Sequence, residues 1–203
     1  MIICCGEALI DMLPRQSDAG EPAFAPHAGG AVFNTAVALG RLGRPVQFFS
    51  GLSKDLFGDI LRERLSASHV DASPAAVSDR PTTLAFVTLT DGHASYAFYD
   101  ENTAGRMLSL DDLPESGADA LFFGGISLVV EPCGAAYEAL MLREAPTRVT
   151  MIDPNIRPSF ITDEPSYRAR LTISKVAPLS WVILGASCSA TRQMLTPRPR
   201  ITF

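Results

Sequence analysis

The chain begins with the stretch MIICCGEALID, residues 1–11. Its apolar run from Ile2 to Ile10 is typical of a buried strand, and its start lacks the basic region of a secretory signal peptide. We therefore expect a first strand here and a cytoplasmic location. Asp11 follows the run directly, and the carboxyl ends of parallel strands form the ligand crevice of an open α/β sheet. Its carboxylate is suited either to accept hydrogen bonds from a ligand's hydroxyl groups or to cap a turn.

Strand and helix patterns alternate along much of the chain. Residues 31–42 carry apolar side chains at the spacing of a largely buried helix, which Gly43 is suited to end. Asp55 is suited to cap the next helix. Strands separated by helices predict an α/β fold with a mainly parallel, helix-covered sheet. The other predicted elements are strands over 46–50, 118–123 and 149–152, and helices over 55–68 and 132–145.

The middle of the chain carries a hairpin pattern instead. Two strand-like runs, 82–90 and 93–99, flank Asp91-Gly92, which favours the type I′ turn with its positive φ at both positions. No helix follows this hairpin, so we expect it to leave the main sheet. Residues 14–27 are rich in Pro, Gly, Ser and Asp, and this composition predicts a loop.

The composition excludes several classes of protein. The chain has 203 residues and a net charge of −5, which fits one globular domain and argues against binding to nucleic acid. No apolar run is long enough to span a membrane. The four cysteines form no C-x-x-C pair and the three histidines are scattered, so we predict no metal site. The patterns of P-loop and dinucleotide-binding proteins are absent, which argues against a nicotinamide-dependent oxidoreductase.

A second candidate site is GGAVFN, residues 29–34, at the start of the first predicted helix. Glycine lets a ligand approach the backbone closely, and the free N–H groups of a helix start suit hydroxyl or anion oxygens. Asn34, one turn into the helix, offers a donor and an acceptor to the same place. The same residues also fit a tight turn followed by a polar helix residue, so both interpretations stay open.

A third candidate site is DPNIRP, residues 153–158, directly after a predicted strand. Proline restricts its own backbone and that of the preceding residue, so this loop is stiff. Arg157 is suited to hold a phosphate or a substrate hydroxyl. A structural pair between Arg157 and an aspartate is an equally good interpretation.

Four motifs in this order resemble those of the PfkB/ribokinase-like carbohydrate kinases, most closely the bacterial fructokinases. They are GEALID (6–11), GGAVFNTA (29–36), FSGLSKDLFG (49–58) and DPNIR (153–157). The resemblance covers residues 1–171 and is to the N-terminal half of the family's domain. Val32 and Ser53 depart from the usual family pattern, but neither departure touches a polar ligand.

The resemblance implies an αβα sandwich with a mostly parallel sheet and a small β-lid, whose segments are about 12–28 and 82–101. It implies transfer of the γ-phosphate of ATP to a sugar hydroxyl with the help of Mg²⁺, and it favours fructose as the sugar. A homodimer formed through the lid is a further implied partner, whereas nucleic acid and membranes are not.

The resemblance also implies roles for individual residues. Arg157 would lie near the substrate or the phosphate. The lid aromatics either cover the sugar or pack within the lid. By similarity, the candidate substrate-binding residues are Asp11, Gly29, Gly30, Asn34, Tyr96, Phe98 and Arg157.

The family's catalytic elements lie in its C-terminal half, and this sequence lacks them. One is Gly-Ala-Gly-Asp, whose Asp is the general base and whose N–H groups form the anion hole, and another is Asn-x-x-Glu, linked to Mg²⁺ and phosphate. The nearest string here, GASC at 185–188, lacks the second glycine and the aspartate. We therefore expect a chain that is truncated at its C-terminus, lacks the catalytic base and the ATP site, and is inactive alone. The alternative is a non-catalytic sugar-binding or lid-dimerisation module.

The end of the chain differs in charge from the rest. Residues 172–203 contain four basic residues and no acidic residue. Pro197 and Pro199 lie among them. This composition predicts a poorly packed basic tail after residue 171, as a shifted reading frame would produce.

Overall fold

The computed structural model describes residues 1–90, 93–173 and 180–182. Its strands are β1 (Ile2–Gly6), β2 (Leu9–Gln16), β3 (Pro22–Gly29), β4 (Val46–Phe49), β5 (Gly51–Ser53), β6 (Ala76–Ser78), β7 (Leu84–Thr90), β8 (His93–Tyr99), β9 (Ala120–Gly124), β10 (Val149–Asp153) and β11 (Ser180–Val182). The main sheet has the order β11-β10-β9-β1-β4, and every pairing in it is parallel. A second sheet has the order β3-β2-β7-β8, and β5 pairs with β6.

The helices follow the predicted caps. Gly43, with φ of 71°, follows the first helix, and the Asp55 carboxylate caps the second by accepting a hydrogen bond of 2.8 Å from the backbone N–H of Gly58. None of the helices in the described residues combines the length and the apolar character that a membrane crossing requires. The α-helices in this part of the chain are α1 (Ala31–Arg41), α2 (Leu56–Ser66), α3 (Cys133–Glu144) and α4 (Glu164–Ile173).

Helices cover both faces of the main sheet, and side chains of β1 are buried in an apolar core on each face. Cys5 is buried in a core with Tyr137 of α3, and residues of α4 join the same core. Cys4 is buried in the opposite core with Phe33 of α1 and Phe48 of β4, together with residues of α2. Successive side chains of a strand point to opposite faces. The predicted α/β fold, with a mostly parallel sheet between helices, is therefore confirmed.

The first strand is shorter than the sequence predicts. β1 ends at Gly6, where a side chain would overlap Val32 of α1. Residues 9–16 then form β2 of the second sheet, so Asp11 lies inside β2 and does not end the first strand. The prediction of one strand from Ile2 to Ile10 was wrong because the apolar residues before and after Glu7 are buried in two separate sheets.

The loop predicted over residues 14–27 was also wrong. β2 and β3 pair antiparallel along their whole length, from Leu9 opposite Gly29 to Gln16 opposite Pro22. The prolines misled the prediction, although the sheet tolerates them. β3 is an edge strand, and the pairing of β2 with β7 ends at Met12, before Pro14.

The predicted hairpin lies outside the main sheet. β7 and β8 pair antiparallel in the second sheet, from Leu84 opposite Tyr99 to Thr90 opposite His93. The proposed Asp91-Gly92 turn lies outside the described residues. Most of the predicted basic tail lies outside them too, although β11 pairs in parallel with β10. The boundary at residue 171 and the lid boundaries stay predictions.

Candidate functional site

Asp11 reaches the glycine pair through the register of β2 and β3. It lies opposite His27, two residues from the Gly29 that pairs with Leu9. A Cβ atom at Gly29 would overlap a carboxylate oxygen of Asp11, so this carboxylate lies directly against the Gly29 backbone. No described residue donates a hydrogen bond to it. Burial raises the pKa of Asp11, and the nearby His27 opposes that rise.

The glycine pair continues directly into α1. Gly30 has φ of 110°, which a residue with a side chain rarely adopts, and a Cβ atom there would lie 2.6 Å from the backbone oxygen of Glu7. Gly30 is the N-cap of α1 and has no side chain to bond the helix's first N–H groups. Asn34 lies one turn further, and its side chain is exposed without a hydrogen bond to any described residue. The N–H of Ala31 is donated to Glu7, so the side chain of Asn34 is the group at this helix start that stays available to a ligand. That Asp11 and Asn34 share one pocket stays a prediction.

The second sheet carries Tyr96 and Phe98 on the same face as Asp11. Asp11 of β2 pairs with Ala85 of β7, which pairs with Phe98 of β8. Residues in register share a face, and neighbouring strands are about 4.8 Å apart, so Asp11 and Phe98 lie about 10 Å apart. Tyr96 lies two residues along the same face with its ring centre 5.9 Å from that of Phe98. Ala85, which lies between Asp11 and Phe98 in this row, is fully buried.

The loop after β10 also approaches this face. The ring of Phe160 packs edge-on against that of Phe98, with 4.7 Å between their centres. Arg157 lies three residues before Phe160 and is exposed. Its guanidinium donates to the backbone oxygens of Ile156 at 3.2 Å and Asn155 at 3.4 Å. Within the described residues it forms no ion pair, so the interpretation of an arginine–aspartate pair gains no support.

Sequence analysis assigned no role to Glu7, which follows β1. The Glu7 carboxylate accepts a hydrogen bond of 2.9 Å from the N–H of Ala31, the first residue of α1. The hydroxyl of Ser127 lies 3.2 Å from its other oxygen. Burial raises the pKa of Glu7 to about 7, although these hydrogen bonds lower it. One signal was available in the sequence: a single carboxylate between two apolar runs is either paired or functional.

A cleft of about 390 Å³ lies beside Phe160, and Asp100 and Arg106 also line it. Arg106, which lines it, pairs with Asp100 at 3.1 Å. None of the predicted substrate-binding residues lines this cleft. In the described part of the chain, no group of three or more His, Cys, Asp or Glu side chains is placed to hold a metal ion.

The two positive-φ glycines around α1 give a test of the site's packing. Both Gly30→Ala and Gly43→Ala force a side chain into the left-handed region, which costs about 1–3 kcal/mol. Only position 30 is also blocked by backbone, because nothing lies within 4 Å of a Cβ atom at Gly43. We expect Gly30→Ala to lower the free energy of unfolding in urea clearly more than Gly43→Ala does. Equal losses would contradict the described packing of Gly30 on Glu7.

The family model for the pfkB family carbohydrate kinases matches residues 1–187. A fructokinase of Rhizobium leguminosarum bv. trifolii is 62% identical over 173 residues, which cover 84% of this chain and 53% of that protein. A fructokinase of Solanum tuberosum is 34% identical over 185 residues, covering 87% of this chain and 58% of that protein. The chain thus spans about half the length of the curated relatives it matches.

Solved structures agree with the fold. Fructokinase from Xylella fastidiosa has a TM-score of 0.78 and 29% identity, over 85% of this chain and 59% of that one. The same enzyme with bound ATP gives the same score, over 58% of its chain. A sugar kinase from Pyrococcus horikoshii in complex with ATP has a TM-score of 0.76 and 27% identity, over 84% and 59% of the two chains. The chain belongs to the pfkB family of carbohydrate kinases.

Proposed function

We propose that this chain binds a sugar, with fructose the first candidate, and supplies the sugar-binding half of an ATP-dependent sugar kinase. The observation that carries the proposal is the Asp11 carboxylate lying against Gly29, next to the Gly30 turn that begins the helix of the exposed Asn34. The names of the fructokinase relatives support fructose. The three described cysteines are free thiols, which fits the expected cytoplasmic location.

The chemistry of these groups matches a polyhydroxylated ligand. An ionised carboxylate accepts two or more hydrogen bonds and donates none, so Asp11 would bind paired sugar hydroxyls as an acceptor. The glycine pair lets a ligand approach the backbone closely, and Asn34 offers both a donor and an acceptor. Tyr96 and Phe98 would cover the apolar face of the sugar ring from the second sheet, which would then act as a lid.

We propose that this chain lacks the groups that would hold ATP and Mg²⁺, as its resemblance to the family implies. The support is that the sequence contains no Gly-Ala-Gly-Asp element and that the described residues hold no group of three metal-binding side chains. A general base contributes about 10²–10⁴-fold to such a rate, and one donor of an anion hole contributes about 10²–10³-fold. We therefore propose that these 203 residues alone bind sugar without phosphorylating it.

A second candidate function, dimerisation, rests on the opposite face of the second sheet. Phe24, Phe86 and Tyr99 lie on the face turned away from Asp11, because their registers differ from it by an odd number of residues. Their rings pack edge-on in a row, with centres 5.0 Å and 5.5 Å apart. Phe24 and Tyr99 are 43% and 62% exposed. An exposed aromatic patch is typical of an interface, and we propose a second copy of this chain as the partner.

Sugar binding is tested by calorimetric titration of the chain with D-fructose, with D-glucose and D-ribose as comparisons. We expect fructose to bind at pH 7.5 and Asp11→Ala to weaken binding about 10–100-fold, the value of hydrogen bonds to a charged group. Asp18→Ala is the matched control, since Asp18 is an exposed carboxylate in the turn between β2 and β3. Equal affinity of the Asp11 and Asp18 variants would contradict the proposed role of Asp11.

Catalysis is tested separately with a coupled assay of ADP release. With ATP, Mg²⁺ and fructose, we expect no sugar-dependent turnover from the purified chain. A rate near 1 s⁻¹, within the ordinary range of enzymes, would contradict the proposal. It would then require a catalytic carboxylate within this chain.

Dimerisation is tested by analytical ultracentrifugation. We expect the chain to sediment as a dimer, and the Phe24→Ser/Tyr99→Ser double variant to sediment as a monomer because the aromatic row loses both exposed ends. Leu142→Ser on α3 is the control, since Leu142 is 53% exposed and lies away from the second sheet. A monomeric parent chain, or an unchanged dimer in the double variant, would refute this interface.

A further inference from the structure

The carboxyl group of Glu7 connects three segments of the chain. Glu7 itself follows β1, and one of its oxygens accepts the N–H of Ala31 at the start of α1. Its other oxygen lies 3.2 Å from the hydroxyl of Ser127, which belongs to the short turn after β9. Its backbone oxygen would lie only 2.6 Å from a Cβ atom at Gly30. The position of the glycine turn therefore depends directly on Glu7.

The Ser127 hydroxyl gives this contact two states. It lies 2.7 Å from the backbone oxygen of Gly124 and 3.2 Å from Glu7. A hydroxyl has one hydrogen, so it donates to only one of these two acceptors. If it donates to Gly124, the contact with Glu7 is a hydrogen bond only when the carboxyl group itself carries a proton. The charged and the protonated carboxyl group thus each have a matching arrangement.

Glycines and neutral groups surround the carboxyl group. A Cβ atom at Gly125, where φ is 71°, would overlap both carboxyl oxygens, so this position must remain small. From α3, Cys133 and Tyr137 face Glu7, and burial raises the pKa of both, that of Cys133 to about 12. Both are therefore neutral at physiological pH.

The remaining charged groups near Glu7 come from the segment after β8. Arg106 and Asp100 line the same small cavity and pair with each other at 3.1 Å. The segments of α1 and β9 that face Glu7 bring backbone groups and Ser127, none of which is ionisable. A proton on Glu7 is therefore the change of charge to expect in this cluster between pH 6 and pH 8, and burial places the pKa of Glu7 at about 7.

We propose that Glu7 is a positioning residue of the sugar site, whose carboxyl group holds the Gly30 turn and the first turn of α1 against the turn at Ser127. This rests on the proposed sugar binding, since the groups it positions are the backbone of Gly30 and the side chain of Asn34. Protonation of Glu7 removes the negative charge from the helix start and weakens the hydrogen bond that Glu7 accepts from the Ala31 N–H. Sugar affinity is then expected to fall as the pH drops through 7.

The first experiment needs no sugar. The backbone amide resonance of Ala31 is followed by ¹H–¹⁵N NMR between pH 5.5 and 8.5 in the parent chain, in Glu7→Gln and in Glu115→Gln. Glu115 is an exposed carboxylate in a loop and serves as the matched control. We expect one titration with a midpoint near 7 in the parent and in the control, and none in Glu7→Gln. The proposal would be overturned if the chemical shift of Ala31 did not change with pH in the parent, or if it titrated equally in Glu7→Gln.

Ser127→Ala provides a variant that keeps the carboxyl group. Losing the hydroxyl removes a hydrogen bond that lowers the pKa of Glu7, so the Ala31 midpoint is expected to move to higher pH. If Ser127 donated only to Gly124, the midpoint would not rise, so an unchanged or lowered midpoint would count against the proposal. This variant decides the question if Glu7→Gln does not fold.

The second experiment measures the fructose dissociation constant of the same variants at pH 6 and pH 8. We expect about tenfold weaker binding in Glu7→Gln at pH 8, since small displacements of positioning groups have effects of this size, and no pH dependence near 7 in that variant. Normal affinity in Glu7→Gln at pH 8 would overturn the positioning role. If the parent and Glu115→Gln bind no fructose while Ala31 titrates as expected, the sugar proposal fails and the contact at Glu7 stands.

Discussion

The candidate site depends on the segment between β1 and α1, which forms β2 and β3. The hydrogen bond from the Ala31 N–H to the Glu7 carboxyl group joins the two ends of this segment. The chain leaves the main sheet after β1, forms β2 and β3 of the second sheet, and returns at the start of α1. Glu7 stands where the chain leaves and Ala31 where it returns, 2.9 Å apart. Because one carboxyl group joins both ends, β2 and β3 begin and end at the carboxyl end of β1.

The register of the second sheet then places the candidate ligand-binding groups. β2 pairs with β3 and β7, and β7 with β8, so Asp11, Ala85 and Phe98 form one row across the sheet. A slip of one residue would turn Asp11 to the opposite face, among Phe86 and Tyr99. The same alternation thus separates the face that carries Asp11, Tyr96 and Phe98 from the face that carries Phe24, Phe86 and Tyr99.

The sequence was most informative where local physics decides the structure. Asp55 caps α2 and Gly43 ends α1 as predicted, because caps depend on neighbouring residues only. Prediction failed for β2 and β3 of the second sheet, because their prolines are typical of loops. The role of Glu7 was missed because its partner Ser127 is 120 residues away. The family motifs contained Asp11, Gly29, Gly30, Asn34 and Arg157, but not the contacts that hold them.

All groups of the candidate sugar site lie between Glu7 and Phe160. The described structure holds them with contacts inside that range: Glu7 to α1, β2 to β3 and β7, and Phe98 to Phe160. If the proposed sugar site is built this way, it uses no residue from the remaining length of the relatives, whereas phosphoryl transfer needs a base, an anion hole and a nucleotide pocket together. The proposal therefore assigns binding of the acceptor to this chain and leaves transfer of the phosphate to groups outside it.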